Sequence, residues 1–318
     1  VKPLLVADIG GTHARLALVD AQMRCSDVVV RPTATVDSVD ALLDDYLVAR
    51  ERLALAGLCV AIAGPVVDGA GHLTNGGLSV DVRRLRGRHP HALVINDFIA
   101  AAMGVPMVGE SGLHSLGGEA PMTATKAVIG PGTGLGMGML IVDGDRYRAL
   151  PSEGGHGDLA STSPLEHEIY QVLSANVPFV SWESALSGPG LVNLYRAVCA
   201  VWGCHAEHTR AEDITRLAAD ADDPVCHQTV DLFCNLLGTA AGTLAITVCA
   251  VGGVYLCGGM VPPLLSALAG SQFRRRFEAR GPMTGFVRPI ATVAVTTRDL
   301  GLLGAAAAWQ ARFPAQVQ

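Results

Sequence analysis

The sequence predicts an α/β protein, and three observations carry that prediction. The first third alternates short apolar runs, stopped by Gly-Pro or Asn-Asp, with runs of helical composition. A glycine turn between two apolar strands occurs at Gly10-Gly11-Thr12 and is echoed at residues 130–136, GPGTGLG. The chain has 318 residues, 50% of them hydrophobic and 16% charged, which suits one large domain or two ordinary ones.

Residues 4–7 and 15–19 read as a hairpin around the first glycine turn. Asp37-Ser38 opens a helical run through Arg52. Residues 58–63 are continuously apolar up to Gly64-Pro65, the pattern of a strand buried on both faces. Residues 93–95 repeat it and stop at Asn96-Asp97, after which 98–103 are helical in composition. Val105-Pro106 marks a boundary, beyond which strands at 127–129 and 137–142 flank the second glycine turn. Helices are expected at 164–173, 189–202, 211–221 and 224–248, a buried strand at 254–257 and a proline-started helix after it. Residues 290–295 form a last strand, and Asp299 is placed to cap a final helix over 301–311.

Composition excludes several classes of function. A net charge of −6, with Lys2 and Lys126 the only lysines, argues against binding a nucleic-acid backbone, which needs cationic neutralisation. The eight cysteines are scattered without a C-x-x-C pair, as in reduced cytoplasmic proteins, and Cys199 with Cys204-His205 lacks a second ligand pair for zinc. No secretory signal is visible at the start. Residues 232–273 carry no charge, but glycine pairs and Pro262-Pro263 interrupt them, so they read as core and not as a membrane span.

The common nucleotide motifs fail. No lysine follows a glycine, which rules out a Walker loop, and G-x-G-x-x-G breaks at Leu135 or Met137 in either frame of the second turn. Either turn alone could be an ordinary hairpin; two of them could aim backbone N–H groups at different phosphates of one nucleotide. Asp8, just ahead of the first turn, then has a purpose. A nucleotide triphosphate arrives with Mg²⁺, a hard cation that takes a carboxylate directly or through water.

The segments DIGGTHARLAL, INDFIAA, GPGTGLGMG, PSEGGHGDLA, ALSGPGLVNLYRA and CGGMVPP, in this order along the chain, resemble the ATP-dependent, non-ROK bacterial glucokinase family. The resemblance implies a duplicated ribonuclease-H-like fold of the actin and hexokinase type, with two α/β domains, a central cleft and closure around the sugar. The small domain would comprise 1–106 plus 298–318 and the large domain 107–297. By resemblance, Asp97 would be the general base toward the 6-hydroxyl of glucose and Asn96 would hold a sugar hydroxyl. Glu153, His156 and Glu183 would complete the sugar site, with Asn75 on a nearby loop. Gly10, Gly11 and Thr12 would form the first phosphate loop, Thr133 and Gly134 the second, and Gly258-Gly259 would meet the adenosine. ATP and Mg²⁺ are the expected cofactors, without structural zinc, since the ROK-type Cys-x-Cys-Gly-x-x-Gly-Cys cluster is missing. Expected partners are a sugar and ATP, with neither nucleic acid nor membrane, in a cytoplasmic homodimer. His13 and Gly76-Gly77 depart from residues common in the family. A kinase for another hexose or amino sugar, and a catalytically silent sugar-sensing regulator, stay open as alternatives.

Overall fold

The computed structural model describes residues 2–74, 76–219 and 223–316, and two sheets organise them. The chain divides into one unit of Val1–Glu110, Gly138–Pro151 and Thr297–Gln318 and a second of Ser111–Met137 and Ser152–Thr296.

The first sheet has the order Cys25–Pro32, His13–Val19, Leu4–Ile9, Gly57–Ile62, Ala92–Asn96. Strand alternation sends Leu5, Ala7 and Ile9 into one core cluster with the Val39–Val48 helix, and Leu4 and Val6 into another with Leu302, Ala305 and Trp309. Both faces are covered, which is why these strands read as unbroken apolar runs. On the second face the helices Asp97–Gly104 and Leu300–Arg312 pack closely, and a side chain at Gly304 would strike the carbonyl oxygen of Ala100. The parallel register aligns Ile9 with Ile62 and Ile62 with Asn96. Gly10, Ala63 and Asp97 therefore leave the sheet at one carboxyl edge, where α/β proteins gather their chemistry.

The second sheet repeats this order with an added edge strand: Arg146–Ser152, Leu135–Asp143, Lys126–Pro131, Val254–Leu256, Thr292–Val295, then Leu113–Gly117. Ile129 aligns with Leu256, and just past the end of the shorter strand the Cys257 N–H donates to the Ile129 carbonyl at 2.9 Å. The repeat is the duplicated α/β architecture that the family resemblance implied. The Pro224–Thr247 helix is long and apolar enough to cross a membrane, yet 78% of its most apolar window is buried within the fold. Its Phe233, Leu237 and Ala241 are fully enclosed in the second core.

Several boundaries differ from expectation. Asp299 occupies the cap position of the last helix but makes no side-chain cap hydrogen bond there. The expected 211–221 helix is described as Ala211–Ala219, and its last two positions lie outside the described residues. Cys25–Pro32 was not anticipated; it is an edge strand with Val28 and Val30 exposed. A three-stranded sheet of Val66–Val67, Ala70–His72 and Ser79–Asp81 was missed as well, its strands being too short to show periodicity.

Candidate active site

At the first carboxyl edge, alternation turns Asp8 toward the same face as Leu4 and Val6, under the Leu300–Arg312 helix. Its carboxylate lies against Gly301 in the first turn of that helix; a Cβ there would come 2.7 Å from Cγ and 3.2 Å from Oδ1. Arg15, its cross-strand partner in the hairpin, approaches Oδ2 at 3.7 Å. Burial pushes the Asp8 carboxyl above its ordinary 3.8, and the Arg15 charge opposes that shift. The first glycine turn is tied down by Gly10 N–H donating to the His13 carbonyl at 2.9 Å and by the Thr33 hydroxyl donating to the Gly10 carbonyl at 2.7 Å. The Thr33 N–H donates to the carbonyl of Thr12 at 2.9 Å. A single partly buried carboxylate beside a fixed turn fits Mg²⁺, which keeps several waters and relies on phosphate oxygens for further ligands.

Asp97 follows the strand Ala92–Asn96 and begins the Asp97–Gly104 helix. Its Oδ1 accepts from Asn96 Nδ2 at 3.0 Å and from the Phe98 N–H at 3.1 Å, which fixes where the half-buried carboxylate points. Asn96 is buried and caps the helix, its Oδ1 accepting from the N–H groups of Phe98 at 2.8 Å and Ile99 at 3.2 Å. Its second amide hydrogen goes to the Gly64 carbonyl at 3.0 Å. All four hydrogen bonds available to an asparagine side chain are thus spent inside the protein. In this geometry Asn96 orients Asp97, and the sugar contact expected of it would require one of these bonds to be given up.

The second carboxyl edge brings four segments together. The turn after Lys126–Pro131 is closed by Gly132 N–H donating to the Gly134 carbonyl at 2.8 Å, with Gly188 N–H donating to the Gly132 carbonyl at 2.8 Å. Glu153 precedes the 3₁₀ turn Gly154–His156, and both Glu153 and His156 are exposed. Gly155 is buried so closely on the Leu135 carbonyl that no side chain fits. Glu183 then joins the segments: its N–H donates to the Gly155 carbonyl at 2.9 Å, its carbonyl accepts from the Ser187 hydroxyl at 2.9 Å, and its Oε2 accepts from the Leu135 N–H at 2.8 Å. Oε1 lies 4.0 Å from His156 Nδ1. Gly258 turns the chain beside Pro131 with a φ of +96°, a conformation that glycine adopts without strain. Thr133, Gly258 and Gly259 are exposed.

Asn75 lies outside the described residues. Gly76 and Gly77 beside it are exposed, with open space where a side chain on Gly77 would go, and His13 is also exposed. Among the described residues, His208, Asp223 and Cys226 form a group able to hold a metal ion. Asp223 there caps the Pro224–Thr247 helix through Oδ1, with Oδ2 3.5 Å from His208 Nε2, and Cys226 is a buried thiol pushed up to about 12 by that burial. Sequence reading missed Arg15, Gly64, Gly301 and the Leu135 N–H as supports of these groups. The hairpin register that pairs Asp8 with Arg15 was the one signal able to reveal any of them.

The family model described as Glucokinase matches residues 5–312. The chain belongs to the glucokinase family. A glucokinase of Nitrobacter hamburgensis is 38% identical over 306 residues, covering 95% of each chain. The crystal structure of a glucokinase from an Antarctic psychrotroph matches with a TM-score of 0.86 and 36% identity, over 98% of this chain and 99% of that one. A ROK family glucokinase from Streptomyces griseus, in complex with glucose and AMPPNP, shares the fold at 21% identity with a TM-score of 0.67, over 96% of this chain and 98% of that one.

Proposed function

We propose that this glucokinase-family chain transfers the γ-phosphoryl group of ATP to the 6-hydroxyl of glucose, with Asp97 as general base. The observation that carries the assignment of the base is the pair of donors, Asn96 Nδ2 and Phe98 N–H, that hold Asp97 Oδ1 at the carboxyl edge of a parallel strand. Phosphoryl transfer needs positioning and charge stabilisation more than covalent help. The 6-hydroxyl oxygen bonds to phosphorus as the bond from phosphorus to the β-phosphate oxygen breaks, and the hydroxyl proton passes to the Asp97 carboxylate. Glu153, His156 and Glu183 supply acceptors and a ring nitrogen to the other sugar hydroxyls, Asn75 is assigned to the sugar by the family resemblance alone, and Asn96 aims the base. The backbone at Gly10, Gly11 and Thr12 and at Thr133 and Gly134 takes the phosphates, while Gly258-Gly259 leaves room for adenosine. Asp8 would hold Mg²⁺, directly or through water, and the ion bound there would supply positive charge to neutralise the phosphate oxygens.

The test is ATP- and Mg²⁺-dependent sugar phosphate formation by purified protein over a panel of hexoses and amino sugars. Glucose 6-phosphate as the preferred product supports the reading. Turnover of another sugar alone moves the specificity, and glucose binding without turnover of any sugar makes the protein a sensor.

A further inference from the structure

Glu183 is placed to do more than hold a sugar. Its two carboxylate oxygens face different ways: Oε2 accepts from the Leu135 N–H at 2.8 Å, at the end of the second glycine turn, while Oε1 faces the His156 side chain at 4.0 Å. The packing matches that division of labour. A Cβ on Gly134 would stand 3.2 Å from the Glu183 Cδ and closer still to Oε2, so the turn accepts this carboxylate only because residue 134 is glycine. The main chain of Glu183 is held on both sides, by Gly155 and by the Ser187 hydroxyl at the cap of the Gly188–Trp202 helix. The side chain is therefore a short strut from a fixed backbone to the Thr133-Gly134 turn.

We infer that Glu183 is a positioning residue for the nucleotide, holding the second phosphate turn through Leu135, as well as a sugar ligand. Rested on the function proposed above, this makes one carboxylate common to both substrates. Sugar drawing on Oε1 orients the group that braces the phosphate turn through Oε2, and each substrate strengthens the binding of the other by the same factor.

The discriminating measurement is the affinity for Mg²⁺-AMPPNP with no sugar present, by titration calorimetry, in wild type, Glu183→Gln, Glu183→Asp and Glu183→Ala. A residue that serves only the sugar leaves this affinity unchanged. Glutamine keeps an oxygen for the Leu135 N–H, so Glu183→Gln should bind AMPPNP within about twofold of wild type while losing glucose affinity; Glu183→Ala and the too-short Glu183→Asp should each lose about tenfold. Equal nucleotide affinity in all four proteins would overturn the inference, as would an equal loss in Glu183→Gln and Glu183→Asp. Should Glu183→Ala not fold, the contrast between glutamine and aspartate carries the test. A wild type that binds AMPPNP but phosphorylates no sugar would instead defeat the function proposed above, a separate outcome.

Discussion

The two glycine turns sit at equivalent edges of equivalent sheets, yet they are supported in opposite ways. At the first, the carboxylate belongs to the strand and the glycine to a distant helix: Asp8 lies on Gly301. At the second, the glycine belongs to the turn and the carboxylate comes from elsewhere: Glu183 lies on Gly134. Where the first strand carries Asp8, the corresponding place in the second is Gly130. A repeated architecture supplies two similar frames, and the chemistry is in the residues that break the symmetry.

The largest expected difference between the two edges comes from Asp8→Asn. Loss of a metal-directed carboxylate should lower turnover by about 10²–10³-fold. The same change removes a charge whose burial opposes folding, so the variant should melt about 2–4 °C higher if the relief is about 1 kcal/mol. A lower melting temperature would mean that Arg15 and the helix N-terminus more than offset the burial. Next in size is Arg276→Met. Arg276 makes a bidentate pair with buried Glu166 at 2.6 and 3.1 Å, and leaving the Glu166 charge with only its Thr162 hydrogen bonds should cost about 3 kcal/mol in denaturant unfolding.

Gly301→Ala should lower turnover by about tenfold in the wild type and far less in an Asp8→Asn background, because both changes act on one carboxylate. Equal losses in the two backgrounds would show that Gly301 serves only helix packing.

The smallest effect separates the two regions by acid. Burial pushes Glu166 up, but hydrogen bonds from Arg276 and Thr162 together hold it below its ordinary 4.5. Its contribution to stability is complete above that value and is lost as pH falls through the depressed folded value. Asp8, raised above 3.8, behaves oppositely: its ionisation costs stability as pH rises, and acid relieves the cost. Hydrogen exchange at about pH 3.5 should show protection falling in Pro164–Ser174 before Leu4–Ile9. Simultaneous loss would erase the distinction.

Much of this frame was legible in the sequence. Continuous apolar runs marked the strands Leu4–Ile9 and Gly57–Ile62, and the breaks at Gly10 and Gly64-Pro65 marked their carboxyl edge, because burial on both faces and turn chemistry are local properties. The supports were not legible, since they join residues far apart in the chain. Asp8 meets Gly301 and Glu183 meets Leu135 through tertiary packing, and periodicity reports that a face is covered without saying by what. Asn96 illustrates the limit: a side chain rich in hydrogen-bonding groups suited a sugar, but its groups are already committed to Gly64, Asp97, Phe98 and Ile99. Asp299 shows the converse, a good capping residue whose side chain makes no cap.

The most direct measurement is kcat for glucose phosphorylation in Asp97→Asn beside the dissociation constants for glucose and Mg²⁺-AMPPNP. Asparagine keeps an oxygen for the Asn96 and Phe98 donors but cannot take the proton. A kcat lower by about 10²–10⁴-fold, with both affinities within a few-fold of wild type, is the predicted result. Turnover within tenfold of wild type would contradict the assignment of Asp97 as the base.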